Sequence, residues 1–104
     1  HRCPGLWMSG GIHRLLGRAA DGVLAADLAA CATFDNGEAL SKKVRAPSLL
    51  ILGDRDMMTP IAGGRALAKT IDNAETVVFP GCGHMMLAER PNETLDAMRG
   101  FLIR

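Results

Sequence analysis

The rhythm of apolar and polar positions changes near Pro47. Before it the spacing is helical. Ile12 to Arg18 reads as a short helix or the end of one, and Asp21-Gly22 interrupts. Val23, Leu24, Leu28 and Cys31 then form a stripe along a helix over Val23 to Thr33, and that stripe is expected to face a partner surface. Asp35-Asn36-Gly37 signals a turn before a third short helix from Glu38 to Val44. After Pro47, Ser48-Leu49-Leu50-Ile51-Leu52 is a continuous apolar run ended by Gly53, which predicts a strand covered on both faces. Thr59 is expected to cap a helix with Pro60 in its first position, where a missing N–H costs nothing, and the helix runs to about Ile71. Gly63-Gly64 inside it costs roughly 1 kcal/mol per glycine relative to alanine, for which close packing on a sheet can compensate. Asp72-Asn73 turns into a second strand, Glu75 to Phe79, and Pro91 opens a last helix with Leu95, Met98 and Leu102 on one face.

Strand, helix and strand in one layer imply an α/β architecture with a right-handed parallel crossover. Two parts are expected, a helical one over residues 1–46 and a strand-helix-strand-helix one over 47–104. The loops Gly53 to Met58 and Pro80 to His84 each follow a strand, which puts Asp56 and His84 on one rim. Open α/β sheets place their ligand sites at that edge.

Composition narrows the function classes. Apolar residues make up 48% of the 104 residues and charged ones 22%, a globular balance. With a net charge of +1 and no basic stripe, nucleic acid is excluded as an expected partner. Cys3, Cys31 and Cys82 are odd in number and form no C-x-x-C, so free thiols are expected. His1, His13 and His84 lack ligand spacing, and no metal is predicted. The run Leu49 to Leu52 is far short of the roughly 20 residues a membrane helix needs. The chain begins with His1 and shows no targeting pattern in its first dozen residues, so the natural start is expected upstream and a cytoplasmic location is the default.

Two segments carry candidate chemistry: Leu50-Ile51-Leu52-Gly53-Asp54-Arg55-Asp56 followed by Thr59-Pro60, and Val77-Val78-Phe79-Pro80-Gly81-Cys82-Gly83-His84 followed by Glu89-Arg90-Pro91. Together they resemble the acid-bearing and histidine-bearing segments of α/β hydrolases of the serine esterase and lipase kind. Trp7 to Val44 is loosely similar to the end of a helical cap or lid. The resemblance implies the C-terminal part of an α/β-hydrolase fold, with two parallel strands, a crossover and flanking helices preceded by cap-like helices. It also implies a catalytic acid at Asp56, three residues after the strand-ending glycine, with Asp54 the weaker candidate. The alternative for either aspartate is to close the turn after the strand. His84 is implied as general base and then acid, a role suited to an imidazole that can take a proton from a hydroxyl and return it to a leaving group.

The nucleophile departs from the family pattern, because no G-x-S-x-G occurs. Trp7-Met8-Ser9-Gly10-Gly11 lacks the first glycine and a preceding strand, so Ser9 is structural and the nucleophile is expected upstream. The 104 residues alone are therefore expected to be inactive. Met57, Met58, Met85 and Met86 flank the acid and base. Met58 and Met85 are the candidates to contact a small apolar acyl or ester substrate, with core packing as the alternative. Cys82 is read as structural, and Glu89 and Arg90 as solvent-facing or locally paired at the entry to the last helix. No cofactor is implied. The same fold and acid–base pair serve acyltransferases and, with an aspartate nucleophile, dehalogenases and epoxide hydrolases. A non-catalytic relative that binds a small molecule is a further reading. A free-standing interaction domain is opposed by the unpaired strand edge it would expose.

Overall fold

The helical rhythm before Pro47 produces three helices: α1 (Pro4–Arg18), α2 (Val23–Thr33) and α3 (Gly37–Ser41). The computed structural model describes residues 4–103, so His1 and Cys3 lie outside the described residues. The chain divides into two units, residues 1–35 and 36–104, so that α3 belongs with the strands.

Helix α1 begins at Pro4 rather than near Ile12. Gly10 and Gly11 are poor helix formers and conceal the earlier turns, while proline is at home in a first turn. Helix α2 follows Gly22, whose φ of 83° is the left-handed conformation that glycine adopts without a steric penalty. Its expected stripe is not covered: no residue of α2 is buried, and Leu24 and Leu28 are exposed. The first unit consists of two helices rich in glycine and alanine and supplies no surface to bury it. Helix α3 stops at Ser41, short of Val44. The Ser41 hydroxyl is buried, donates to the Glu38 carbonyl at 2.7 Å and pairs with the Thr70 hydroxyl.

The second unit continues with β1 (Ser48–Gly53), α4 (Ile61–Thr70), β2 (Ala74–Phe79), α5 (Met86–Glu89) and α6 (Pro91–Leu102). The strands pair in parallel, with Ser48 opposite Ala74 and Gly53 opposite Phe79. Helix α4 packs on both strands and α6 on β1. Gly64 explains part of the glycine pair, since a Cβ there would lie 2.5 Å from Leu52 Cδ2, and the helix approaches the strand through that gap. Gly63 has no atom within 4 Å of a Cβ position, so the expectation of close packing fails there.

Burial of β1 is also less than expected. Ser48 to Leu52 are half-buried rather than covered on both faces, because a sheet of two strands leaves one long edge of β1 without a neighbour among the described residues. The apolar side chains buried outright among the described residues are Phe79 and Cys82, both at the rim end of β2. So small a core is expected to offset little of the conformational entropy of ordering the chain. Expressed alone, the 104 residues are expected to unfold over a broad, weakly cooperative transition or to aggregate. A sharp, reversible thermal transition of a monomer, followed by circular dichroism, would contradict this.

Candidate active site

The two loops that leave the C-terminal ends of β1 and β2 are held against each other by backbone contacts. Asp54 N–H donates to the Phe79 carbonyl at 3.3 Å and Arg55 N–H to the Cys82 carbonyl at 2.9 Å. The Asp54 carboxylate accepts the Gly81 N–H at 2.6 Å, where Gly81 takes a φ of 68°. Asp54 therefore fastens the second loop and does not reach the imidazole. Gly53 is the point of closest approach, since a Cβ there would stand 2.4 Å from the Cys82 carbonyl oxygen and 2.6 Å from that of Gly83.

These latches bring Asp56 and His84 together. His84 Nδ1 lies 2.9 Å from Asp56 Oδ2, with the Asp56 side chain buried and that of His84 39% exposed. Asp56 is fully partnered. Its Oδ1 accepts the Met58 and Thr59 N–H groups, each at 2.9 Å, and its Oδ2 accepts the Thr59 hydroxyl at 2.8 Å as well as the imidazole. The Thr59 oxygen also stands 3.3 Å from His84 Nδ1. With the threonine proton directed to the carboxylate, the acceptor nearest to Nδ1 is Asp56, which assigns the ring proton to Nδ1 and leaves Nε2 able to take one.

The Thr59 backbone N–H, ahead of the His84 ring, the Thr59 hydroxyl and the Met58 N–H, holds the Asp56 carboxyl well below its ordinary range against the opposing effect of burial. A carboxyl whose pKa is lowered on folding contributes stability that is full above its unfolded value, near 3.9, and is lost as pH falls through the lowered folded value. The stability gap between the parent and Asp56→Asn is therefore expected to be widest above about pH 5 and to narrow as pH drops through about 4 towards 2. Urea denaturation of the intact polypeptide across that range measures it, and a gap that widens in acid would refute the ionised, hydrogen-bonded carboxylate.

One site feature was not legible beforehand. Thr59 does not cap α4: Pro60 occupies the cap position without a side-chain hydrogen bond, and Thr59 turns to Asp56 instead. The reason is competition, because an ionised acceptor three residues back draws both the amide and the hydroxyl of Thr59. The spacing Asp-x-x-Thr, typical of a side chain that accepts from amides two and three residues on, is the signal that could have shown it. Glu89 and Arg90, read as solvent-facing or locally paired, are locally paired. The Glu89 carboxylate accepts the Gly83 and Met85 N–H groups, and Arg90 Nη2 donates to the Pro80 carbonyl at 3.0 Å.

Met58 and Met85 flank the pair and are 74% and 44% exposed. Cys82 is fully buried, and burial, followed by the Glu89 charge, pushes its thiol pKa up, the opposite of an activated nucleophile. Ser9 lies inside α1, not at a strand-to-helix elbow. Cys31 is a free thiol on the surface. Among the described residues no group of histidine, cysteine and carboxylate side chains could hold a metal, and no helix is long and apolar enough to cross a membrane.

Known proteins share this arrangement of chain. Mouse (Mus musculus) monoacylglycerol lipase ABHD6 is 35% identical over 60 residues, covering 58% of this chain and 18% of that protein. The pimeloyl-[acyl-carrier protein] methyl ester esterase of Chromobacterium violaceum is 37% identical over 63 residues, 61% of this chain and 25% of that protein. Among solved structures, a thermophilic esterase from Thermogutta terrifontis superposes with a TM-score of 0.64 at 30% identity over 68% of this chain and 26% of its own. A serine hydrolase involved in carbazole degradation, CarC, superposes with a TM-score of 0.62 at 29% identity over 66% and 26%. The chain thus spans about a fifth to a quarter of the length of the proteins it matches. The family model of the TAP-like proteins matches residues 18–104, and with the parallel crossover and its rim loops this places the chain in that family, within the α/β-hydrolase fold.

Proposed function

We propose that Asp56 and His84 are the acid and the base of a hydrolase that cleaves an ester or related acyl bond by serine nucleophilic catalysis, with the serine supplied from outside these 104 residues. The observation that carries the reading is the 2.9 Å contact from His84 Nδ1 to an Asp56 carboxylate whose remaining acceptor sites are occupied. Held this way, the ring keeps Nε2 free to take the proton of a serine hydroxyl and return it to the leaving group, and Asp56 stabilises the imidazolium formed in between. Such a cycle needs no cofactor. The lipase and esterase names of the relatives support an ester substrate. The exposed thioethers of Met58 and Met85 beside the base provide adaptable apolar walls for its acyl part. The helices before Pro47 are read as the end of a helical cap or lid.

The intact polypeptide carrying these residues is the material for the test. It is expected to hydrolyse p-nitrophenyl butyrate and a monoacylglycerol and to be labelled by a fluorophosphonate on a serine, whereas the 104 residues alone do neither. Labelling absent together with hydrolysis sinks the reading. Hydrolysis that proceeds through an aspartate ester, trapped by mass spectrometry, moves the protein to dehalogenase-like or epoxide-hydrolase-like chemistry.

A further inference from the structure

The His84 ring bonds Asp56 and Thr59 through Nδ1, and the residue follows a loop, Pro80-Gly81-Cys82-Gly83, that contains two glycines. What holds its backbone is Glu89. The Gly83 N–H donates to Glu89 Oε1 at 3.0 Å and the Met85 N–H to Oε2 at 3.1 Å, so one carboxylate grips the amides on both sides of the histidine. The carboxylate lies flat against the glycine: a Cβ on Gly83 would stand 3.1 Å from Oε2. Glu89 is itself anchored. Its own N–H donates to the Met85 carbonyl at 2.9 Å, and the buried Thr94 hydroxyl donates to the Arg90 carbonyl at 2.7 Å and to that of Met86 at 3.3 Å, tying the end of α5 to α6.

We propose that Glu89 is a positioning residue for His84, and that its two-amide grip is what keeps Nδ1 on Asp56. The inference rests on the reading of His84 as the general base. Without the grip, rotation about the Gly83 backbone swings the histidine Cα, and a displacement of about 1 Å is enough to lose a productive geometry. Glutamine is an informative substitute, since the two amides bond different carboxylate oxygens and its NH2 group takes the place of one of them, so that only one N–H bond is kept as it stands.

The experiment uses the intact polypeptide and the parent, Glu89→Gln and Glu89→Ala forms, with the His84 ring signals assigned by their loss in His84→Gln. The 15N shifts of the ring report the tautomer independently of any activity. In the parent they are expected to show the proton on Nδ1. Glu89→Ala is expected to move the ring towards the Nε2–H form that a free imidazole prefers, and Glu89→Gln part of the way. In parallel, kcat for the ester falls about 100-fold in Glu89→Ala and about 10-fold in Glu89→Gln with KM little changed. A purely structural role would lower the melting temperature but leave tautomer and kcat per folded molecule as they were, and that result overturns the proposal. If the parent hydrolyses nothing while Glu89→Ala still shifts the tautomer, the positioning role stands and the hydrolase reading falls.

Discussion

Replacing His84 by alanine is expected to lower kcat for ester hydrolysis in the intact polypeptide by about six orders of magnitude, and Asp56→Asn by about four. The first loss follows from removing the proton acceptor. The second is less obvious, because asparagine is nearly the same shape. Its single acceptor oxygen has two backbone amides to satisfy, those of Met58 and Thr59, which both bond Oδ1 at 2.9 Å. Turned that way, the side chain presents its NH2 group to His84 Nδ1, now 2.9 Å from Oδ2. A donor facing Nδ1 drives the ring proton to Nε2, and a ring protonated there cannot take a proton from a nucleophile. KM should change little in either variant, as neither side chain binds the acyl group. Steady-state kinetics on a p-nitrophenyl ester provide the check. A fall in Asp56→Asn of less than tenfold would mean that Asp56 closes the loop and does not orient the base.

Asp54→Asn separates the two aspartates of the loop. Asp54 accepts a single backbone amide, from Gly81, and an amide oxygen can still accept it. The two carboxylates look alike in the sequence. Their difference arises where the chain bends, since Asp56 N–H bonds back to the Gly53 carbonyl at 3.3 Å and turns that side chain inward to the rim.

How much of this was legible beforehand depends on how local each cause is. The apolar run Leu49 to Leu52, the Thr-Val-Val-Phe segment of β2 and Pro91 at the start of α6 carry their own signals, and the strands and last helix formed where those signals stand. The joint position of Asp56 and His84 on one rim followed from topology alone, because both loops leave the same ends of parallel strands. The misses have mixed causes. Thr59 carries a helix-cap signal that an ionised carboxylate overrides. The short helix α5 is tied to α6 by the Thr94 hydroxyl, which donates to the Met86 carbonyl, a contact eight residues apart that the pattern of α5 itself does not carry. Half-burial of β1 reflects how few layers these residues contain, which no pattern inside the strand can reveal.

The same rim makes Gly53 the most crowded of the described glycines. Gly53→Ala would place a methyl group 2.4 Å from one backbone carbonyl oxygen and 2.6 Å from the next, and neither belongs to a flexible side chain that could move aside. To admit the methyl group, the Cys82-Gly83 segment must retreat from β1. That retreat breaks the Arg55 to Cys82 hydrogen bond and carries His84 away from Asp56. A loss of about 3 kcal/mol or more is expected in urea denaturation of the intact polypeptide, the upper end of what overpacking costs. Gly63→Ala is the internal control. It adds the same methyl group in a helix where nothing lies within 4 Å, and it should gain about 0.5 to 1 kcal/mol from propensity alone. Gly53→Ala as stable as the parent would mean that the two loops are not in contact. The paired position of Asp56 and His84, which depends on that contact, would fall with it.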